Sequence, residues 1–227
     1  MNNKLILIFI FTAAILSKEN RSNYLWPTNT SETITATYGD ERSRRFHAGI
    51  DIRTFGYIGK ELYAIESGYI SRIVISPNGY GKALYLKLND GNTVLYAHLD
   101  EFHPYIQEKV RFIQKETDNS FVDYYLKKNE LKFTKGDIIG YTGDSGSISG
   151  PHLHFEIRDQ NGDPLNPLTK YFSIPDTLNP IAYSIAFIPL DNSCWINGVQ
   201  DYYIKNLSKN NEYKYVLRDT VSIVGNF

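Results

Sequence analysis

Gly150-Pro151-His152-Leu153-His154-Phe155-Glu156 is the stretch from which the rest of the chain can be read. Side chains on a β-strand alternate faces, so His152, His154 and Glu156 point one way while Leu153, Phe155 and Ile157 point the other. The apolar set reads as a core face. The opposite face then carries two imidazoles about 7 Å apart along the strand, at roughly 3.3 Å per residue. Such a pair either serves one small site, as metal ligand and acid/base partner, or is a solvated, hydrogen-bonded pair. Glu156 shares that face and either orients one of the histidines or is a plain surface carboxylate.

Length and composition set the bounds. A chain of 227 residues holds one generous domain, or one domain and a smaller partner. Hydrophobic residues at 42% with charged residues at 22% describe an ordinary folded protein. Lys+Arg 24 against Asp+Glu 25 gives a net charge of -1, without the basic excess of a nucleic-acid binder. The 18 Tyr and 12 Phe suit a strand-rich fold. Cys194 is the one cysteine, which excludes an intrachain disulfide and a cysteine-built zinc site, and it reads as a small buried side chain.

At the N-terminus Lys4 precedes the apolar run Leu5 to Leu16. That run is about half of the ~20 residues a bilayer-crossing helix needs. Residues 1–17 therefore read as a secretory signal peptide cleaved near Ser17, with an uncleaved anchor as the alternative. The mature protein is expected to be exported, periplasmic or cell-envelope associated, with no integral membrane span.

Residues 18–27 read as a linker, and 28–172 as the main domain. Ile34 to Tyr38 alternates as a strand, and Glu41 to Arg45 reads as a solvated loop. Short strands follow at Leu62 to Ile65, Tyr69 to Ile75, Ala83 to Leu88 and Thr93 to Ala97, the last delivering Val94, Tyr96 and His98 to one face. Asn89-Asp90-Gly91-Asn92 between two of them is a hairpin signal. Ile106, Val110 and Ile113 fall at helical spacing, so Pro104 to Thr117 reads as an amphipathic helix with Pro104 in its first turn. Ser120 to Leu126 fits a strand or a continuation of that helix. Residues 102–133 together read as an insertion over an all-β core, in which His103 is an ordinary surface histidine. A Gly/Ser loop from Gly143 to Gly150 leads into the histidine strand. Residues 173–227 read as a β-rich C-terminal extension with strands in Ile181 to Leu190, Tyr202 to Ile204 and Tyr213 to Phe227. At about 55 residues it is short for an independent sandwich of about 100. It is therefore either part of a longer unit or a tail packed on the main domain.

His47-x-x-x-Asp51 is the second chemical signal. On a regular strand the two would stand about 13 Å apart, too far to share an ion bound at about 2.0 Å. Gly49 between them permits a bend that brings both ends together. One histidine of the later strand completes a His, Asp, His set, which leaves a fourth place open as catalytic zinc sites do. His98 and the other member of the 152/154 pair remain as proton-transfer and oxyanion groups.

Phe46-His47-Ala48-Gly49-Ile50-Asp51, Tyr96-Ala97-His98-Leu99, Gly136-Asp137-Ile138-Ile139-Gly140 and the 150–156 stretch together resemble the motifs of the lysostaphin/LytM-type zinc metallopeptidases, in the family's order from about Tyr38 to Leu168. The resemblance implies a small antiparallel β domain with a metal-bearing groove, of the duplicated hybrid type. It implies one Zn2+ held by His47, Asp51 and His154, with His98 and His152 as the catalytic histidines. It implies hydrolysis of peptidoglycan peptides, with stem-peptide cross-links preferred here to glycine bridges because no cell-wall targeting module is visible. The stretch from Leu99 to Lys135 is longer than the family usually has.

The sequence offers two other readings. A catalytically silent LytM-type regulator that binds cell wall or activates an amidase is disfavoured by the retention of all five side chains. Gly143-Asp144-Ser145-Gly146 resembles a serine-protease nucleophile segment, but the histidine and aspartate such an enzyme needs earlier in the chain are missing. Ser145 then reads as a loop residue lining the groove, as Tyr38, Tyr80 and Tyr96 could.

Overall fold

The alternation in the histidine strand is borne out in a computed structural model, which describes residues 24–42, 45–147, 150–175, 181–210, 214–218 and 220–225. The expected signal peptide lies outside the described residues, as does the linker up to residue 23. The described residues fall into two units divided between Ile174 and Pro175.

The first unit is mostly β and antiparallel throughout. Its main sheet runs β1 (Ile34–Ala36), β4 (Ile50–Arg53), β13 (His152–Arg158), β8 (Thr93–Ala97), β7 (Lys82–Leu88), β6 (Gly68–Ile75) and β10 (Val122–Tyr125). Two short strands join it, β11 (Lys132–Phe133) on β6 and β14 (Pro164–Leu165) on β13. A second sheet has the order β5 (Glu61–Tyr63), β12 (Ile138–Thr142), β9 (Leu99–Phe102). The Asp90-Gly91 signal does close the β7–β8 hairpin, whose register pairs Lys87 with Thr93.

One face of the main sheet carries the core. Ile50, Ile52, Leu84, Leu86, Val94, Tyr96, Leu153, Phe155 and Ile157 are fully buried in one cluster with Leu62, Leu99 and Ile139 of the second sheet. Burying each such aliphatic or aromatic side chain is worth about 1.5–3 kcal/mol. Helix α1 (Pro104–Thr117) adds Ile106, Val110 and Ile113 to the same cluster, as its spacing predicts. His103 is not a plain surface residue: it caps α1, its Nδ1 accepting the Tyr105 N–H at 3.3 Å. Asp118, left-handed at φ 47°, ends the helix. The following segment is therefore strand, and β10 lies along β6 with Val122 opposite Ile75. Arg72 of β6 fixes that edge through a two-pronged bond to Asp123 at 2.7 and 2.8 Å, its guanidinium between the rings of Tyr85 and Tyr125.

The unit closes where its ends meet. Asn166 caps the short helix α2 (Pro167–Lys170), after which Tyr171 stacks on Tyr24 and Phe172 meets the edge of Trp26, each at 5.0 Å.

The second unit holds three strand pairs: β15 (Ser184–Phe187) with β17 (Tyr203–Asn206), β16 (Trp195–Ile196) with β20 (Ile223–Val224), and β18 (Ser208–Lys209) with β19 (Tyr215–Val216). Among its described residues only Cys194 and Ile196 are buried.

Candidate metal centre

Strand register brings the site together. On β13 His154 stands opposite Asp51 of β4 on one side and Ala97 of β8 on the other. Since cross-strand partners share a face, Asp51 and His154 meet on the side away from the core. His47 lies before β4, on the return arm of a hairpin formed by β2 (Glu41–Arg42) and β3 (Arg45–Phe46). Its N–H bonds Asp40 O at 2.8 Å and its carbonyl accepts Gly39 N–H at 2.8 Å. The segment from His47 to Asp51 then passes so close over β13 that a Cβ at Gly49 would stand 2.2 Å from Phe155 O. Gly49 is needed for that close approach, not for a left-handed bend.

Three side-chain atoms converge. His47 Nε2, Asp51 Oδ1 and His154 Nδ1 are 3.1, 3.0 and 2.9 Å apart pairwise. Donor atoms on a tetrahedral ion with bonds near 2.0 Å would lie about 3.3 Å apart, so the set fits zinc. The atom at the far end of each side chain already has a partner. His47 Nδ1 donates to Thr37 O at 2.8 Å, and His154 Nε2 donates to Glu156 Oε1 at 2.8 Å. Asp51 Oδ2 accepts from Arg42 Nη2 at 3.2 Å. A carbonyl or carboxylate only accepts, so each imidazole, when neutral, carries its hydrogen outward and turns a lone pair inward. Three lone-pair atoms facing one another call for a proton or a cation between them.

His98 and His152 flank this triangle. His152 Nδ1 bonds Gly150 O at 3.0 Å, and its Nε2 stands 3.6 Å from Asp51 Oδ1. His98 Nδ1 bonds Ser145 O at 2.9 Å, and its ring centre lies 4.9 Å from that of His152 and 5.8 Å from that of His154. Simple alternation put His98 with Val94 and Tyr96, and that expectation is corrected. Those two are core residues, whereas His98, at φ 63°, is the one residue between β8 in the main sheet and β9 in the second sheet. A single left-handed step turns the chain between sheets and swings the imidazole to the site face.

Several residues have roles other than those expected. Ser145 supports His98 through its carbonyl, while its hydroxyl donates to Leu99 O at 2.7 Å and accepts Lys82 N–H at 2.9 Å. Tyr96 is core, donating to Tyr63 O, and Tyr38 bonds Pro164 O; of the three tyrosines only Tyr80 lines the groove. Glu41 to Arg45 is a hairpin rather than a loop among its described residues, and it delivers Arg42 to Asp51. No sequence pattern marks that arginine. Glu156 is fully buried with Oε1 2.8 Å from His154 Nε2, so it is not a plain surface carboxylate.

The charges are strongly biased. Burial would push the Asp51 carboxyl up, but bonds to His154 and His47 hold it well below the usual carboxylate range. Burial opposes the charge on His154 too, and Asp51 and Glu156 overcome it and raise its pKa. Burial pushes the His98 imidazole down to about 4, so it is neutral at neutral pH. The groove over the cluster has a volume of about 1430 Å³, with Arg42, Arg45 and Arg53 on its walls beside exposed Phe46 and Phe55. Asp51 is the only carboxylate among the described residues lining it.

A family model and curated relatives agree with the motif reading. Residues 111–167 match the model of peptidase family M23. That segment contains His152 and His154, while His47, Asp51 and His98 lie upstream of it. The chain is 30% identical over 132 residues to DD-carboxypeptidase/endopeptidase Mpg of Neisseria meningitidis serogroup B (strain MC58), which is 58% of this chain and 24% of that protein. The chain thus spans about a quarter of the length of the curated relatives it matches. Among solved structures it is similar to a zinc containing peptidase from Vibrio cholerae, with 23% identity, 63% of this chain and 38% of that one covered, and a TM-score of 0.47. It is also similar to the catalytic domain of lysostaphin from Staphylococcus simulans, with 27% identity, 60% and 89% covered, and a TM-score of 0.42.

Proposed function

We propose that the protein is an exported zinc metalloendopeptidase cutting peptide bonds of peptidoglycan, a reading supported by the match of residues 111–167 to the model of peptidase family M23. The observation that carries this reading is the convergence of His47 Nε2, Asp51 Oδ1 and His154 Nδ1 within 3.1 Å of one another, beside two further histidines. These three residues would hold one Zn2+. Bound there, the ion would supply Lewis acidity, lowering the pKa of water toward about 7 and polarising a scissile carbonyl.

The remaining work falls to the chain's own groups. Hydrolysis takes a proton from the attacking water and gives one to the departing amine as the C–N bond breaks. His98, neutral and fixed through Nδ1 to Ser145 O, has its Nε2 lone pair free to accept that proton. His152, fixed through Nδ1 to Gly150 O, turns Nε2 toward the same space and can bond the oxyanion or return the proton. Both anchors are backbone carbonyls, which set ring orientation without adding charge.

Substrate preference follows from the groove walls. Arg42, Arg45 and Arg53 on a chain of net charge -1 make an anion-attracting cleft. Stem peptides bring free carboxylates, and glycine bridges bring none, so the charge favours stem-peptide cross-links. The Neisseria relative's name, DD-carboxypeptidase/endopeptidase, points to the same class of bond. A substrate in the cell wall requires export, in keeping with the Lys4-led apolar run, to the periplasm or cell envelope. Among the described residues no helix is long and apolar enough to cross a membrane.

Incubating the purified protein with sacculi of both cross-link types, with and without a chelator, tests the proposal. Mass spectrometry should find chelator-sensitive cleavage of stem-peptide links. Zinc uptake with no released fragment from either substrate would reject the enzyme in favour of a silent cell-wall binder.

A further inference from the structure

We propose that Glu156 is a positioning residue that selects Nδ1 of His154 as the ion-facing nitrogen. This rests on the reading of His47, Asp51 and His154 as ion ligands. Glu156 is fully buried and every bond it makes is to a donor. Oε1 accepts from His154 Nε2 at 2.8 Å and from Tyr80 OH at 2.5 Å, and Oε2 from Arg158 Nε and Nη2 at 2.7 and 2.6 Å.

Stability alone gives little reason for a carboxylate at this position. A buried ion pair rarely outdoes a well-packed apolar side chain of similar volume. The neighbouring strands on this face already bury Ala83, Leu95 and Ala97, with Leu95 directly opposite Glu156. An apolar residue there could fill the space, but it could not accept the His154 Nε2 hydrogen.

That hydrogen matters because His154 has two neutral tautomers. With hydrogen on Nε2, the Nδ1 lone pair faces His47 Nε2 and Asp51 Oδ1. With hydrogen on Nδ1, the imidazole would bond Asp51 Oδ1 directly and compete with an ion. Glu156 disfavours the second form, since Nε2 without hydrogen would set a lone pair against a carboxylate. Gly49 belongs to the same arrangement: a Cβ there would lie 2.8 Å from Glu156 Cγ, so the segment bearing His47 and Asp51 rests against the Glu156 stem.

Glu156→Gln is close to isosteric and tests the assignment. One amide oxygen cannot serve Arg158, Tyr80 and His154 together, so the amide NH2 turns to Nε2 and drives the hydrogen to Nδ1. Nitrogen-15 NMR of the metal-free protein, at a pH high enough to leave the His154 ring neutral, should show its hydrogen on Nε2 in the wild type and on Nδ1 in the variant. Competition with a chromophoric chelator should show zinc binding about 10–100-fold weaker in the variant. Glu156→Asp keeps a charge for Arg158 but withdraws it from His154. It should weaken zinc binding as well, and it serves if the glutamine form does not fold. A variant that melts earlier but keeps the wild-type tautomer and zinc affinity would reduce Glu156 to a structural ion pair and overturn the proposal. The tautomer measurement needs no ion, so a wild type that takes up no zinc would sink the reading of the site while Glu156 was still judged on its own.

Discussion

The rings of His98 and His152 face each other at 4.9 Å with planes 59° apart, although His98 leaves the main sheet at that residue. The left-handed backbone at His98 is what makes the pairing, and asparagine tolerates that conformation better than most residues. His98→Asn should therefore keep the fold and the bound zinc while lowering cleavage about 10²–10⁴-fold, the usual worth of a general base. Zinc content and fragment release measured on one sample check this. A variant that loses zinc would make His98 a ligand.

The depressed His98 pKa has a consequence for stability. In the metal-free protein the native ring resists protonation down to about pH 4, whereas the unfolded ring takes a proton near pH 6.5. Between those values the unfolded state binds more protons, so stability is greatest above about 6.5 and falls as the solution is acidified. The loss from pH 7 to 5 should be on the order of 2 kcal/mol. Urea unfolding at the two pH values reads it, and the His98→Asn curve should be flatter by that amount.

Gly49 has no room for a side chain. Gly49→Ala places a carbon against Phe155 O and Glu156 Cγ, and the forced shift should cost about 1–3 kcal/mol. Because the displaced segment carries His47 and Asp51, zinc affinity should fall with it. An alanine variant with unchanged melting temperature and zinc affinity would contradict the close approach.

The arginines of the groove act on substrate capture. Arg53→Glu should raise KM for stem peptides several-fold with kcat little changed, and the difference should shrink as salt is raised. Kinetics on a soluble stem peptide at two ionic strengths measure this. An equal effect on a neutral oligoglycine substrate would contradict a role in recognising carboxylates.

Much of this was legible in the chain. The alternation through 152–157 placed Leu153 and Phe155 in the core and His154 opposite it, because a two-residue period needs only local information. The helix bounds followed from Ile106, Val110 and Ile113 with Pro104, and the β7–β8 hairpin from Asp90-Gly91. What escaped depends on contacts distant in sequence. Nothing local marks His98 as a left-handed step between sheets, nor Arg42 as the partner of Asp51, nor Ser145 as the support of His98. Tyr96 looked like a possible groove residue because its strand lines both core and site, and only the pairing with Phe155 shows which face it takes.

The most direct test is the zinc stoichiometry of three purified proteins: wild type, His154→Ala and His152→Ala. One ion per chain is predicted for the wild type and for His152→Ala, which should no longer cleave, and none for His154→Ala. An ion retained by His154→Ala and lost from His152→Ala would contradict the account.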